Sequence, residues 1–571
     1  MTADVEIVHP APGAVRRAGH AALRLANATL AGWRLPFLIT LAAAVVRFVR
    51  LDHPPTIVPL DETYYAPNSY GYMCHGVDMG FKDTSVPPSC DALEPVFVVH
   101  PPAAKLLMSV GIRIFGYDAF GWRSASALFG SLSVLVIYLL ARRLWDSRWL
   151  AAAAAVLLGV EGLQLVQSRL AMLDIFMSFF ILLGVWLLLE DRGRAPGWAG
   201  LRWWRLASGV AFGLAVSSKW SAAPLLPVAF AVALAWEVVR LRPAPKPTPE
   251  ALPTEEGEAE ASPSDGEAIV SPPAPRRSRR DSLVFQAAAL AVTFGLLPVL
   301  VYIGTYTPWF LSTKRYIPPL CHNTVSEEVP EDTPLPNGAR VVATPQTGVV
   351  RFERSVPKAG MDLWLCNQRE IFNYHKNLKS IGPEGKPIHP YMSKAWSWPW
   401  ISRPAAHHYT AICVPSGAPQ PCPAGEIAQN EEILGLPNPL IWWVGFFLAL
   451  PLCAWWMVVR RDDVAALLLV LFLPLVLPWF LTTRPLFMFY MTPAVPLLVL
   501  MLVHVMKVWR LRATAVAFVA LSVGAFIYFY PVLAAYPLPP QGIFGWESRI
   551  WFGHVLKGDC TAEDIKLLCW I

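Results

Sequence analysis

The chain has 571 residues, of which 55% are hydrophobic and only 15% charged, with a mean hydropathy of +0.42. That balance excludes a soluble multidomain protein and points to an integral membrane protein. The net charge of +6 comes without a basic, aromatic-interleaved patch, so no nucleic acid partner is expected and the charge serves as a topology signal.

The basic N-terminal tail (1–33, with Arg16, Arg17 and Arg24) leads into a full-length apolar run rather than a cleavable signal peptide. Runs near the ~20 residues that cross a bilayer recur at 34–51, 123–141, 149–166, 172–189, 205–217, 222–240, 284–305, 438–458, 464–481, 486–505 and 513–531. They predict an all-α polytopic membrane protein with about 11 transmembrane helices. Arginine and lysine concentrate in alternate connections, at Arg142-Arg143, Arg192 to Arg205, Arg240 to Arg280, Arg460-Arg461 and Lys507 to Arg512. The positive-inside rule makes that side cytoplasmic. The first loop (52–122), a long loop (306–437) and the C-terminal tail (532–571) then face outward, on the extracytoplasmic side of a multi-pass cell (plasma) membrane protein. Eight of nine cysteines fall in those three pieces, which suits disulfides in an oxidising compartment, although the pairing cannot be read from spacing.

In chain order, the first outer loop contributes Asp61-Glu62, ten residues beyond the first span. Two adjacent carboxylates at a membrane exit are either a solvated loop face or chemistry, with a carboxylate acting as general base on a hydroxyl. The loop closes on His100-Pro101-Pro102-Ala103-Ala104-Lys105, where the prolines stiffen the backbone and hold His100 and Lys105 at the headgroup boundary. A rigid turn followed by an interfacial helix with a snorkelling lysine is the alternative. Four cations then oppose the positive-inside bias: Arg123, Arg169 in the Ser168–Asp174 hairpin, Lys219 in Ser218-Lys219-Trp220, and Arg484. Ionisable groups at membrane depth are expensive and tend to be functional or paired. A cluster of outer cations suits a lipid phosphate; structural pairing, such as Arg169 with Asp174, is the competing reading. Arg47 and Arg50 could join such a site or simply reach the interface.

Residues 243–282 combine Pro-rich and charged sequence too polar to bury a core, which predicts a disordered cytoplasmic linker between the membrane region 34–242 and the helix at 283–305. Its basic end is expected against anionic lipid headgroups. The long loop carries Tyr374-His375 and then His389-Pro390-Tyr391-Met392-Ser393-Lys394-Ala395-Trp396. Aromatic rings interleaved with polar groups suit sugar recognition, but equally the core of a small cap packed on the membrane. The helices at 438–531 complete the membrane part. No Walker loop, dinucleotide fingerprint, GxSxG elbow, HExxH or paired CxxC site is present.

Taken in order, Leu60-Asp61-Glu62-Thr63-Tyr64-Tyr65, Val99-His100-Pro101-Pro102-Ala103-Ala104-Lys105, Ser168-Arg169 through Asp174, Ser218-Lys219-Trp220, Tyr374-His375 and His389-Pro390-Tyr391 through Trp398-Pro399 resemble the protein O-mannosyltransferases, particularly the actinobacterial members. The resemblance implies the GT-C glycosyltransferase architecture. It also implies a polyprenyl-phosphate-mannose donor, a Ser/Thr hydroxyl of a secreted protein as acceptor, and inversion of β-linked mannose to α. By carry-over it assigns Asp61 as catalytic base with Glu62 assisting, and Arg123, Arg169, Lys219 and Arg484 around the donor phosphate. Substrate contacts are then expected from His100, Lys105, Asp174, His375, His389, Tyr391, Lys394 and Trp396. Membrane lipids and the Sec translocon are further candidate partners. No cofactor is implied with certainty. A divalent metal is disfavoured, because one or two carboxylates without further oxygen ligands make a poor site. The sequence departs from the eukaryotic members in lacking a β-trefoil domain in the long loop. Two competing readings are a GT-C transferase for another lipid-linked sugar or a lipid or glycan acceptor, and a transporter, which would place its charges near span midplanes.

Overall fold

The computed structural model describes residues 32–82, 88–192, 194, 202–241, 279–330, 332–343, 349–383, 388–413, 422, 427–510 and 512–551. The N-terminal tail, nearly all of the linker and the tail cysteines Cys560 and Cys569 lie outside them. A helix is already present from Arg279, slightly before the expected end of the linker.

The membrane part is built from α1 (32–48), α4 (Ala119–Trp145), α5 (Arg148–Gly159), α6 (Gly162–Arg169), α7 (Leu173–Asp191), α8 (Trp203–Ser218), α9 (Trp220–Arg240), α10 (Leu283–Thr305), α12 (Pro439–Arg460), α13 (Asp463–Phe480), α14 (Val495–Trp509) and α15 (Arg512–Leu533). Between α1 and α4 lie α2 (Glu62–His75), the hairpin β1 (Met79–Phe81) and β2 (Leu93–Pro95), and α3 (Ala103–Phe115). The long loop forms a cap: β3 (His322–Pro330), β4 (Arg340–Ala343) and β5 (Val349–Pro357) in an antiparallel sheet of order β3-β5-β4, then α11 (Gly360–Asn377), then the hairpin of β6 (Ala406–Cys413) and β7 (Ile427–Leu434). Strands are thus confined to the loops.

Among the described residues, seven helices are long and apolar enough to cross a membrane, and α5 with α6, bent by 58°, makes an eighth if read as one span. The eleven expected spans are therefore not all established. The hydrophobic runs at 205–217 and 486–505 form helices of 16 and 15 residues, short of the ~20 that a bilayer demands.

Local chemistry explains the main boundaries. Asp118 caps α4 by accepting from Gly121 N (2.7 Å), and Arg142 and Arg143 occupy its last turn, where positive charge suits the helix dipole. The break between α5 and α6 is held by buried Glu161, which accepts from Gln164 N (2.7 Å) and Asn438 N (3.1 Å). Asn438 in turn donates to Val160 O and Ser522 O, joining the kink to α12 and α15. Gly209 and Gly213 let α8 lie directly on α10: a Cβ at Gly209 would stand 2.4 Å from Thr293 O, and one at Gly213 2.9 Å from Val301. This is small-residue packing of the kind that brings membrane helices together.

Arg169 does not pair with Asp174. Its guanidinium, at the end of α6, donates to the carbonyls of Arg47 and Val49 (2.8 Å each), Val46 (3.2 Å) and Arg50 (3.0 Å), in the last turn of α1 and the turn that follows it, where helix carbonyls lack intrahelical partners. Tyr530 OH adds a bond to Val46 O. Arg47 is itself buried and donates to Ala43 O, while Arg50 stacks on Tyr536 at 4.4 Å. Arg169, expected at the donor phosphate, is placed here as a cap on the end of α1.

Disulfides close the loops internally, Cys74–Cys90 within the first and Cys321–Cys366 and Cys413–Cys422 within the long one, while Cys453 is a buried free thiol in α12. Arg169→Ala is expected to destabilise the protein by on the order of 3 kcal/mol, since several buried carbonyls lose a charged donor. Thermal melting in detergent checks this, with Arg169→Lys restoring only part of the loss because a point charge cannot fork across a helix end.

Candidate active site at the ends of the helices

The adjacent carboxylates Asp61 and Glu62 have opposite environments. Leu60 sits at φ 74, a region few non-glycine residues occupy, and Asp61 then forms the N-terminal boundary of α2. Glu62 is fully buried. It accepts from Arg123 Nε (2.9 Å) and Nη2 (2.8 Å), from Val58 N (2.9 Å) and from Ala171 N (3.0 Å). Arg123, equally buried, spends its remaining donors on Leu51 O, Pro54 O and Thr56 O. All five of its N–H groups are occupied, and so are both Glu62 oxygens. In this arrangement neither Glu62, expected as helper, nor Arg123, expected as phosphate ligand, has a hydrogen-bonding group left over for a substrate. They form a buried tie that fixes the first loop to α4 and to the α6–α7 turn.

Asp61, by contrast, makes no side-chain hydrogen bond among the described residues and remains partly accessible. Burial pushes its carboxyl up from 3.8 to about 6. Lys219 and Arg484 act in the opposite direction and Asp174 adds to the rise. That pattern places Asp61 within electrostatic reach of all three.

Those three residues come from separate elements. Backbone in extended conformation at Lys219 (φ −158) separates α8 from α9 and lets its ammonium meet Asp174, in the first turn of α7, at 2.7 and 2.9 Å. The Lys219 ammonium also lies 4.7 Å from the Tyr490 ring centroid and the Arg484 guanidinium 5.9 Å, distances at which cation–π attraction acts. Arg484 Nη1 donates to His375 Nδ1 (3.2 Å), and His375 Nε2 donates to Val99 O (2.8 Å). Because arginine only donates and a carbonyl only accepts, these partners set the neutral Nε2–H tautomer. Burial agrees, pushing His375 down to about 4. Arg484 Nε is buried without a hydrogen-bond partner.

These groups border a cavity of about 290 Å³. His100, Lys219, His375, Arg484 and Tyr490 line its polar side; Trp220, Phe372, Pro474, Leu475, Pro478 and Trp479 form an apolar wall. His100 packs 5.3 Å from His375 and 6.1 Å from Tyr65, and burial, then the Lys219 charge, holds it well below the usual histidine range. The cap is bolted on from behind: Trp220 Nε1 donates to Tyr302 OH (2.8 Å), which donates to Gln368 Oε1 (2.6 Å) on α11.

The other expected contacts lie elsewhere. Lys105 is fully buried, bonded to Asp78 and to His100 O (2.9 Å); it braces the loop and neither snorkels nor lines the cavity. His389 packs edge-on against Phe487 at 5.2 Å and accepts from Tyr391 N (3.2 Å). Lys394 and Trp396 are exposed. None of Lys105, His389, Tyr391, Lys394 and Trp396 lines the cavity, and Asp174 enters it only through Lys219. The sequence reading missed Tyr490, Tyr65 and Asp78; the aromatic run Phe487–Tyr490 directly after Arg484 was the available signal. Among the described residues no group of three or more His, Cys, Asp and Glu is placed to hold a metal.

Comparison with known proteins gives a consistent picture. Residues 37–312 match the dolichyl-phosphate-mannose-protein mannosyltransferase family. The polyprenol-phosphate-mannose–protein mannosyltransferase of Mycobacterium tuberculosis is 30% identical over 91% of both chains. That of Mycolicibacterium smegmatis is 27% identical over 91% of this chain and 92% of its own. The fold is similar to that of the S. cerevisiae protein O-mannosyltransferase Pmt1-Pmt2 complex bound to the sugar donor, with a TM-score of 0.62 and 14% identity over 93% of each chain.

Removing the Glu62 carboxylate or the Arg123 guanidinium strands a buried charge, so Glu62→Gln and Arg123→Ala are each expected to cost about 3–5 kcal/mol. Asp61→Asn should behave in the opposite way. The folded state binds the Asp61 proton more tightly than the unfolded chain, so its ionisation weakens folding as pH rises from about 4 through about 6. The asparagine variant should therefore melt higher than wild type at pH 7.5, with the gain fading toward pH 4. Melting curves across that range, with Glu62→Gln alongside, check both signs.

Proposed function

Because this chain belongs to the polyprenol-phosphate-mannose–protein mannosyltransferase family, we propose that it transfers mannose from a polyprenyl-phosphate carrier to Ser/Thr hydroxyls of secreted proteins, with Asp61 as the general base. The observation that carries the assignment is the contrast between an unbonded Asp61 and a saturated Glu62. Of the two neighbours, only Asp61 has an oxygen free to accept a proton.

In the proposed reaction the acceptor oxygen attacks the anomeric carbon from the face opposite the lipid phosphate. The C1–O bond to phosphate breaks, its electron pair stays on the phosphate oxygen, and the hydroxyl proton passes to an Asp61 oxygen. Attack from the opposite face inverts the β linkage to α. The hydroxyl becomes acidic only as its bond to carbon forms, so a carboxyl near 6 is basic enough. Arg484 is the favoured phosphate ligand, because its buried Nε has no partner and its fork is held by His375. Lys219 contributes a second positive charge, oriented by Asp174. The growing negative charge of the leaving phosphate meets these fixed cations without reorganisation. The apolar wall at the end of α13 suits the first prenyl units, and the exposed Leu477, Phe480 and Leu481 continue that surface toward lipid.

The reading places the site on the extracytoplasmic face of the plasma membrane. Supporting this are the arginine-rich connections at the opposite helix ends and the disulfides on the Asp61 side. Acceptors are then chains emerging on that face, as from a Sec translocon.

In a membrane assay with polyprenyl-phosphate-mannose and a Ser/Thr-rich peptide, Asp61→Asn should lower kcat/KM by about 10²–10⁴-fold. Wild-type kcat/KM should fall about tenfold per unit below pH ~6, because the protonated carboxyl is no base. Arg484→Gln should raise the donor KM by on the order of tenfold or more. Full activity in Asp61→Asn refutes the base; transfer by wild type to a lipid but to no peptide refutes the acceptor class.

A further inference from the structure

The ends of α7, α9 and α13 remote from Asp61 hold a second constellation that mannosyl transfer does not use. Asp191 accepts from Arg202 Nε and Arg205 Nε (3.0 Å each), and Glu237 accepts from Arg202 Nη1 (3.2 Å), Arg205 Nη2 and Arg240 Nε (2.7 Å). Both carboxylates and Arg205 are buried. Beside this ring lies a cavity of about 500 Å³ between the helices. Leu188 of α7, Val232 and Ala235 of α9, and Leu467 and Val470 of α13 give it an apolar wall. A space this large is far beyond a single water, and its apolar side would not stabilise a column of them.

The charge balance sets what can occupy it. Arg202 and Arg205 already neutralise Asp191 and Glu237, so the surplus rests on the two arginines at the rim. Arg240 adds a third guanidinium to Glu237 and is half exposed. Arg192 stacks on Trp236 at 4.8 Å and makes no ion pair among the described residues. One lining carboxylate, Asp463, is likewise unpaired; it lies in the first turn of α13, where the helix dipole favours it. The lining therefore sets four arginines against three carboxylates.

We propose that this cavity is a binding site for an anionic phospholipid, with the phosphate held by Arg192 and Arg240 and an acyl chain along the α9–α13 wall. Guanidinium forks match phosphate oxygens, and the apolar wall removes chain methylenes from competition with bulk lipid only where the two helices part. The same two helices frame the Asp61-side cavity, α9 from its first residues and α13 through Pro474, Leu475 and Pro478. A lipid wedged between their far ends therefore sets their spacing at the reacting end as well.

The test uses the full chain in nanodiscs of phosphatidylcholine with phosphatidylglycerol, reading retained lipid by native mass spectrometry. Wild type should retain phosphatidylglycerol in preference to phosphatidylcholine. Arg192→Gln with Arg240→Gln should weaken that retention by about twentyfold, from roughly fivefold per arginine. Ala235→Trp with Val470→Trp, which fills the apolar half and leaves every charge in place, should also abolish it. Equal retention in wild type and the filled variant, or no preference for phosphatidylglycerol in wild type, overturns the proposal. If the double arginine variant melts lower than wild type in phosphatidylcholine alone, the filled variant decides.

Discussion

The buried pair of Glu62 and Arg123 is the constraint on which the outer half of the molecule depends. Two opposite charges with no solvent contact survive only because every donor and acceptor is matched. That requirement pulls Val58 and the loop 51–56, the start of α2, the upper part of α4 and the turn at Ala171 onto one point. Asp61 is positioned as a consequence. It is held one residue from an anchor that cannot move, within electrostatic reach of Lys219 and Arg484, two of the residues that line the cavity.

The cations divide in the same way. Arginines suit structural ties where several carbonyls converge, and Arg123 and Arg169 each take three or more of them. Lys219 has one carboxylate partner and Arg484 one imidazole, which leaves unused capacity toward the cavity. A neutral His375 is what makes Arg484 available: a protonated ring would repel the guanidinium, whereas the Nε2–H tautomer offers it a lone pair. The cap is therefore part of the site, because α11 brings His375 and Phe372 to a cavity whose other walls are membrane helices.

The linkage of Tyr302, Trp220 and Gln368 holds α11 against α9 and α10, and the Cys321–Cys366 bridge ties α11 to the chain just before β3. The cap lacks a large core of its own, and here side-chain bonds to the helices and a covalent link supply the rigidity. Strain at Leu60 and the raised Asp61 carboxyl are tolerated by the same framework, consistent with a site whose geometry is maintained at some expense in stability.

By itself the sequence determined the membrane class, the helical core and the family, and it set the cysteine-bearing loops apart from the arginine-rich connections. Hydrophobic run length, charge asymmetry and the ordered motifs are local properties, readable without knowing what touches what. The resemblance alone gave Asp61 and Glu62 different roles; the residues themselves could not show that Glu62, Arg123 and Arg169 are saturated while Asp61 is not, because a carboxylate or a guanidinium looks the same in sequence whether it is saturated or free. Nor could the sequence establish eleven spans, since hydropathy finds apolar runs but not where Lys219 extends the chain or Glu161 bends it. Those distinctions belong to tertiary structure. Which partners a charged group meets, and how many of its hydrogen bonds they use, is decided only when loops, cap and helices meet.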